Sequence, residues 1–85
     1  MNRLTVEQML PTVQDIVANL EVGHDIDAKI IRKSNALFTK IRATEITMCL
    51  QYLAGRGMLK HYGSKHYAQC GNYMNFRRIK VQNKE

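Results

Sequence analysis

Side chains that could bind another molecule concentrate in the second half of the chain. A first group combines cations with hydroxyl, amide and thioether side chains at helical spacing: Lys40, Arg42, Thr44, Thr47, Met48 and Gln51. A second group is mainly cationic: Lys60, His61, Lys65, His66, Arg77 and Arg78. Glutamine can make paired hydrogen bonds to adenine, threonine can bond to phosphate or base edges, and cations attract phosphate. These residue types predict contact with nucleic acid.

The charge of the chain is divided unevenly between its two parts. The 85 residues carry a formal net charge of +6. Residues 1–28 contain one base and five acids, for a net charge of −4, which leaves +10 on residues 29–85. A basic surface of this kind predicts a polyphosphate partner. A solubilising surface without a partner remains the alternative.

The histidines and cysteines could in principle hold a metal ion. His61, His66 and Cys70 are close in sequence, but their spacing matches no established zinc motif. A fourth ligand would have to come from His24 or from Cys49, and Cys49 is predicted to lie in the core. We therefore predict neither a metal site nor any other cofactor.

Catalytic patterns are also missing from the sequence. It contains no Ser/His/Asp order, no glycine-rich phosphate loop and no carboxylate pair that stands out. A chain of 85 residues also has little room for a cleft that excludes water. We expect a binding protein and not an enzyme.

Hydropathy and cysteine content indicate the cellular compartment in which the protein is expected. No apolar run approaches the roughly 18 residues of a membrane helix, and the first residues do not resemble a secretory signal. The two cysteines are too few to staple a secreted scaffold, so we expect free thiols in a reducing compartment. These features predict a cytoplasmic protein without a membrane partner, associated with the nucleoid if it is bacterial.

The elements that would position these residues begin with two helices. Thr5 and Gln8 form a capping-box pattern before an apolar stripe that continues to Leu20, and Gly23 is the predicted stop. Pro11 predicts either a kink or a short first turn before the main helix. A second helix is predicted from Asp27, with Ile30 and Ile31 turned inward and the neighbouring bases Lys29, Arg32 and Lys33 in solvent.

A third helix is predicted to start near Ala43 or Thr44 and to end at about Gly55. Its inner stripe consists of four residues: Ile46, Cys49, Leu50 and Leu53. At about 100° per residue, the opposite face presents Thr44, Thr47, Met48, Gln51 and Gly55. That face either contacts a ligand or is an ordinary solvated surface.

After Gly57 the pattern favours strands. Short segments at 58–62 and 65–70 flank Gly63 and Ser64, which suit a tight hairpin turn. A further segment at 73–81 reads as a strand, although Tyr73, Phe76 and Ile79 at three-residue spacing also allow a helix. Residues 82–85 are expected to fray. The sequence predicts a single α+β domain spanning residues 1–85.

A longer motif extends from Ile41 to Leu59. An aliphatic residue precedes the third helix, an aliphatic and hydroxyl pair opens it, two leucines lie three apart, and a glycine leads into a strand; these positions are Ile41, Ile46, Thr47, Leu50, Leu53, Gly57 and Leu59. The motif resembles the recognition-helix signature of winged helix-turn-helix repressors, including the metal-sensing and multidrug-resistance families. The sequence departs from them around Ser34 to Phe38, where extra residues must be absorbed before the third helix.

The resemblance implies a three-helix winged helix-turn-helix with a C-terminal β-hairpin wing. It also implies a sequence-specific regulator of bacterial, phage or plasmid type, whose third helix enters the major groove of DNA and whose wing follows the backbone or minor groove. Such readers often bind as homodimers. Winged helices also serve as protein-binding modules, so docking on an acidic partner protein is the alternative. The wing lysines could equally be edge charges that prevent strand aggregation.

Overall fold

Three helices precede a β-hairpin, and a short strand joins the hairpin to form a small sheet. The computed structural model describes residues 5–68 and 71–80. The elements are α1 (Val6–Ala18), β1 (Asp25–Ile26), α2 (Ala28–Ser34), a 3-10 helix (Ala36–Phe38), α3 (Ala43–Gly55), β2 (Leu59–Tyr67) and β3 (Gly71–Arg78). The sheet is antiparallel in the order β1-β3-β2. This is the predicted α+β winged-helix architecture, with β1 as an addition that the sequence pattern did not reveal.

The first helix begins where its capping box predicts. The Gln8 backbone N–H donates to the Thr5 hydroxyl at 3.1 Å, and the Thr5 N–H donates to the Gln8 side chain at 2.9 Å. Pro11 lies inside one continuous helix. The helix ends at Ala18, well before Gly23, and the backbone and side chain of its C-cap residue Asn19 both donate to the Asp15 carbonyl.

The core lies where α3 meets α1, α2 and the base of the sheet. The predicted inner face of α3 is confirmed, since Ile46, Cys49, Leu50 and Leu53 have no solvent exposure. They share one cluster with residues of every other element: Met9, Val13, Val17, Ile26, Ala28, Ile31, Phe38, Ile41, Leu59 and Phe76. This packing fixes the direction of α3 and leaves its other face outward.

One prediction for α2 is wrong. Asp27 caps the helix as expected, with its Oδ1 accepting from the Ile30 N–H at 2.9 Å. Ile31 is buried, but Ile30 is 37% exposed. A helix of seven residues packs along one side only, and Ala28 and Ile31, three apart, occupy that side. Ile30 therefore turns towards solvent.

The extra residues between α2 and α3 form the 3-10 helix Ala36–Phe38. The Asn35 side chain caps it by accepting from the Leu37 N–H at 2.9 Å. Phe38 at its end is fully buried in the core. The added length thus inserts an aromatic side chain between the two helices instead of looping into solvent.

The predicted hairpin turn at Gly63 and Ser64 is also wrong, because β2 continues through both residues. His61 pairs with Phe76 and Ser64 pairs with Met74, so two residues of β2 oppose Asn75. This is a β-bulge, and Gly63 adopts its φ of +77° without the steric strain of a Cβ. The chain reverses between Tyr67 and Gly71, and positions 69–70 lie outside the described residues.

The segment after Gly71 is a strand and not a helix. It pairs on one side with β2 and on the other with β1, and these ladders determine its conformation. Its described end is Arg78, three residues before the predicted limit at 81. The predicted fraying of 82–85 and Cys70, which was weighed above as a metal ligand, lie outside the described residues.

A buried carboxylate ties the far end of β2 to the start of α2. Asp27 has no solvent exposure, and its Oδ2 accepts from the Tyr67 hydroxyl at 2.5 Å. The same carboxylate caps α2 through its other oxygen. The tie therefore couples the position of the hairpin to the α2 terminus.

We expect Tyr67→Phe to lower the free energy of unfolding by about 1–3 kcal/mol, because it leaves a buried carboxylate oxygen without its donor. Urea unfolding followed by circular dichroism measures the change. Tyr52→Phe is the matched control, since Tyr52 is 49% exposed and its hydroxyl has only a 3.5 Å contact with Arg56. Equal, small effects of the two substitutions would show that the Tyr67 hydroxyl contributes nothing to stability.

Candidate nucleic-acid interface

The exposed face of α3 carries most of the first predicted group. Arg42 is the N-cap residue, and its exposed side chain makes no capping hydrogen bond. Thr44, Met48 and Gln51 are exposed, with Met48 at 52%, while Thr47 is half-buried. These side chains form one stripe along a helix whose opposite side is anchored in the core. Lys40 is exposed in the turn before the helix.

The α3 stripe continues onto one face of the hairpin. The Gln51 side-chain nitrogen lies 3.3 Å from the sulfur of Met74 on β3. Ser64 is the cross-strand partner of Met74, and His66 is the partner of Asn72. Because side chains alternate along a strand, these residues share one face. The α3 stripe and this hairpin face form a surface that we call the helix-wing surface.

Two of the predicted histidines belong to this hairpin face. His66 is exposed, and its Nδ1 lies 2.8 Å from the Asn72 side-chain oxygen. His61 pairs with Phe76, with 5.6 Å between their ring centroids. Their rings are therefore held against neighbours on β3 while remaining open to solvent.

The predicted lysines of the wing lie on the other hairpin face. Lys60 pairs with Arg77, and Lys65 pairs with Tyr73. The Lys65 ammonium is 5.3 Å from the centre of the Tyr67 ring, which belongs to the same face. The structure thus does not bring the second predicted group together: His61 and His66 lie on the hairpin face that contacts α3 through Met74, whereas Lys60 and Lys65 lie on the other face.

The two arginines of β3 already have partners within the domain. Arg77 donates to the Asp25 carboxylate at 2.8 Å, and its guanidinium lies 3.7 Å from the centre of the Tyr62 ring. The hydrogen bond from Arg77 lowers the pKa of Asp25, so this carboxylate stays charged at neutral pH. Arg78 donates to the backbone carbonyls of Val17 and Ile79. Their contact with nucleic acid stays a prediction.

Several exposed residues were missed by the sequence analysis. Tyr52 extends the α3 stripe, and Arg56 lies with its guanidinium carbon 5.8 Å from the Tyr52 ring centre. The spacing of Met48, Tyr52 and Arg56, each four apart, was the available signal. A second set lines a cleft beside α2: Lys29, Arg32, Lys33, Thr39 and Tyr73.

Metal binding has no geometric basis in residues 5–68 and 71–80, where no three His, Cys, Asp or Glu side chains converge. Cys49 is buried, with its sulfur 3.8 Å from the Val6 carbonyl oxygen. Burial raises the pKa of this thiol, so the protonated form, a poor metal ligand and nucleophile, prevails at neutral pH.

A helix long and apolar enough to cross a bilayer is absent from the part of the chain that the structure describes.

Comparison with known proteins found no match among family models, curated proteins or solved structures.

Proposed function

We propose that this protein is a non-enzymatic, sequence-specific reader of double-stranded DNA, a small transcriptional regulator of the winged helix-turn-helix type. The observation that carries the proposal is the helix-wing surface, where a helix with a polar outer stripe stands beside a β-hairpin. The stripe offers the donors and acceptors that base edges require. In this proposal the protein is bacterial or belongs to a phage or plasmid.

The dimensions and chemistry of α3 support insertion into the major groove. The helix has 13 residues, and the major groove of B-DNA is about 12 Å wide, which admits one α-helix. Gln51 can pair with adenine, Met48 can contact a thymine methyl group, and Arg42 can reach guanine or phosphate at the N-terminal end. The contact of Gln51 with the Met74 sulfur is weak, so a base can replace it.

The hairpin supports two kinds of contact. His66 lies on the hairpin face that contacts α3 and can approach the same groove, whereas Lys60 and Lys65 on the other face suit the phosphate backbone beside it. Binding as a homodimer would place two α3 helices about one helical turn of DNA apart. Base reading and backbone positioning are thus assigned to different elements.

We expect Gln51→Ala to weaken binding to the preferred sequence by about 1–3 kcal/mol and to leave binding to random duplexes nearly unchanged. Lys65→Ala should weaken binding to all sequences about equally and reduce the salt slope by about one. Fluorescence anisotropy with a selected duplex and a scrambled duplex measures both effects. Lys80→Ala, which removes one exposed charge at a position that the proposal assigns to no DNA contact, is the control for Lys65→Ala.

A reversed result would contradict the assignment of roles. If Gln51→Ala leaves sequence preference intact while Lys65→Ala abolishes it, the hairpin and not α3 reads the bases. Equal losses in Lys65→Ala and Lys80→Ala would mean that Lys65 acts only through net charge.

A second candidate function is docking on an acidic partner protein. The observation that favours it is the exposure of Met48 and Tyr52, 52% and 49%, on a stripe without a base between Arg42 and Arg56. Aromatic and methionine side chains are enriched at protein interfaces. A folded protein that binds no duplex at low salt would favour this function over DNA reading.

A further inference from the structure

A cleft separate from the helix-wing surface lies between α2 and the hairpin. Its volume is about 250 Å³, and its wall is formed by Lys29, Arg32, Lys33, Thr39 and Tyr73. None of these described lining residues is acidic, so the cleft presents three positive charges. Tyr73 belongs to the hairpin face that carries Lys65, and not to the face that adjoins α3.

The three cations of the cleft lie on one side of α2, and two of them are held by contacts within the domain. Lys29, Arg32 and Lys33 are three and four residues apart on α2, which places them on one side of the helix. Arg32 donates to the Thr39 carbonyl at 3.1 Å, and the Lys29 ammonium lies 4.1 Å from the centre of the Tyr67 ring. Like charges at this spacing repel one another, and an anion between them would remove that repulsion.

The acids closest to these bases in sequence bond to other groups. Asp25 accepts from Arg77 at 2.8 Å. Asp27 is fully buried, and its two oxygens accept from the Ile30 N–H and the Tyr67 hydroxyl. These hydrogen bonds of the two carboxylates are thus made with groups other than Lys29, Arg32 and Lys33.

The aromatic side of the cleft indicates that the ligand carries an apolar or planar group in addition to an anion. Tyr73 is half-buried, and its ring packs at 69° against Tyr67 with 5.5 Å between centroids. Most of the cleft wall is carbon, which favours an apolar or planar group in addition to an anion. The volume lies just below the range of about 300–1,000 Å³ typical of drug-sized ligands, so the ligand is small.

We propose that the cleft binds a small phosphate monoester that carries one planar ring, the chemistry of a mononucleotide. The phosphate contacts Lys29, Arg32 and Lys33, which supply charge-assisted hydrogen bonds. The ring packs against Tyr73. This inference does not depend on DNA binding by the helix-wing surface.

Isothermal titration calorimetry of the full chain, without DNA, tests the proposal. The probes are adenosine monophosphate, inorganic phosphate and adenosine. The monophosphate should bind more tightly than either fragment by about tenfold or more, because it alone makes both kinds of contact. Lys33→Gln, which retains much of the stem and removes the charge, should weaken binding about tenfold. Lys80→Gln removes the same charge at an exposed position outside the cleft and should have no effect.

Three results would overturn the proposal. The first is no binding at about 10 mM adenosine monophosphate, a concentration that detects even very weak complexes. The second is equal affinity for phosphate and the monophosphate, which would remove the role of Tyr73. The third is equal weakening by Lys33→Gln and Lys80→Gln, which would reduce the interaction to net charge. Circular dichroism confirms that each variant is folded, and failure of the DNA experiments alters none of these outcomes.

Discussion

Leu53→Ala should lower the free energy of unfolding by about 2–5 kcal/mol, and Leu50→Ala should do the same. Both side chains have no solvent exposure and lie where α3 packs against the rest of the core. Removing three carbons from either site loses their burial and leaves a cavity that the surrounding helices fill only partly. Urea unfolding by circular dichroism gives the change directly.

Met48→Ala is the matched control for these substitutions because Met48 lies on the same helix but is 52% exposed. Its truncation should change stability by no more than about 0.5 kcal/mol. A domain of this size has a total stability of only about 5–15 kcal/mol, so loss of ligand binding in the leucine variants would reflect unfolding. Undetectable destabilisation at both leucines would mean that the two faces of α3 are assigned wrongly.

Duplex affinity should fall about 100-fold between 50 and 200 mM salt. Four of the predicted contact residues are exposed cations: Lys40, Arg42, Lys60 and Lys65. Each phosphate contact contributes about −0.9 to the slope of log affinity against log salt, so about four contacts give a slope near −3.6. Fluorescence anisotropy across a salt series measures this slope.

Lys40→Ala should make the slope shallower by about one, whereas Lys80→Ala, at an exposed position that the proposal assigns to no DNA contact, should leave it unchanged. The comparison distinguishes a local phosphate contact from a general effect of charge. Absence of duplex binding at 50 mM salt, with the protein shown to be folded, would end the case for DNA reading.

The helical part of the fold was predictable because its signals are local. The Thr5 and Gln8 capping box and the Asp27 cap act within one helical turn. The inner stripe of α3 follows directly from its 3.6-residue period. The burial of Ile30 was predicted wrongly because it depends on how much of this short helix the neighbouring elements cover. The sequence of α2 alone does not specify that coverage.

The hairpin was less predictable because its register depends on distant residues. Gly63 permits a positive φ, which suits a two-residue turn and a bulge equally well. Only pairing with β3 distinguishes the two, and Asn75 lies opposite the bulge. Lys65 and His66 point to opposite faces of any strand, but which of the two lies on the face that contacts α3 follows from the same register.

The bulge at Tyr62 and Gly63 determines whether odd- or even-numbered residues of β2 point to a given face of the hairpin. Before it, even-numbered residues such as Lys60 share the face that α2 approaches; after it, odd-numbered residues such as Lys65 take that place. An uninterrupted ladder would exchange the two sets and turn Lys65 towards α3. The single extra residue of the bulge therefore determines on which surface each cation of the wing lies. Inserting or deleting one residue in β2 would exchange the side chains of the two surfaces without changing any residue type.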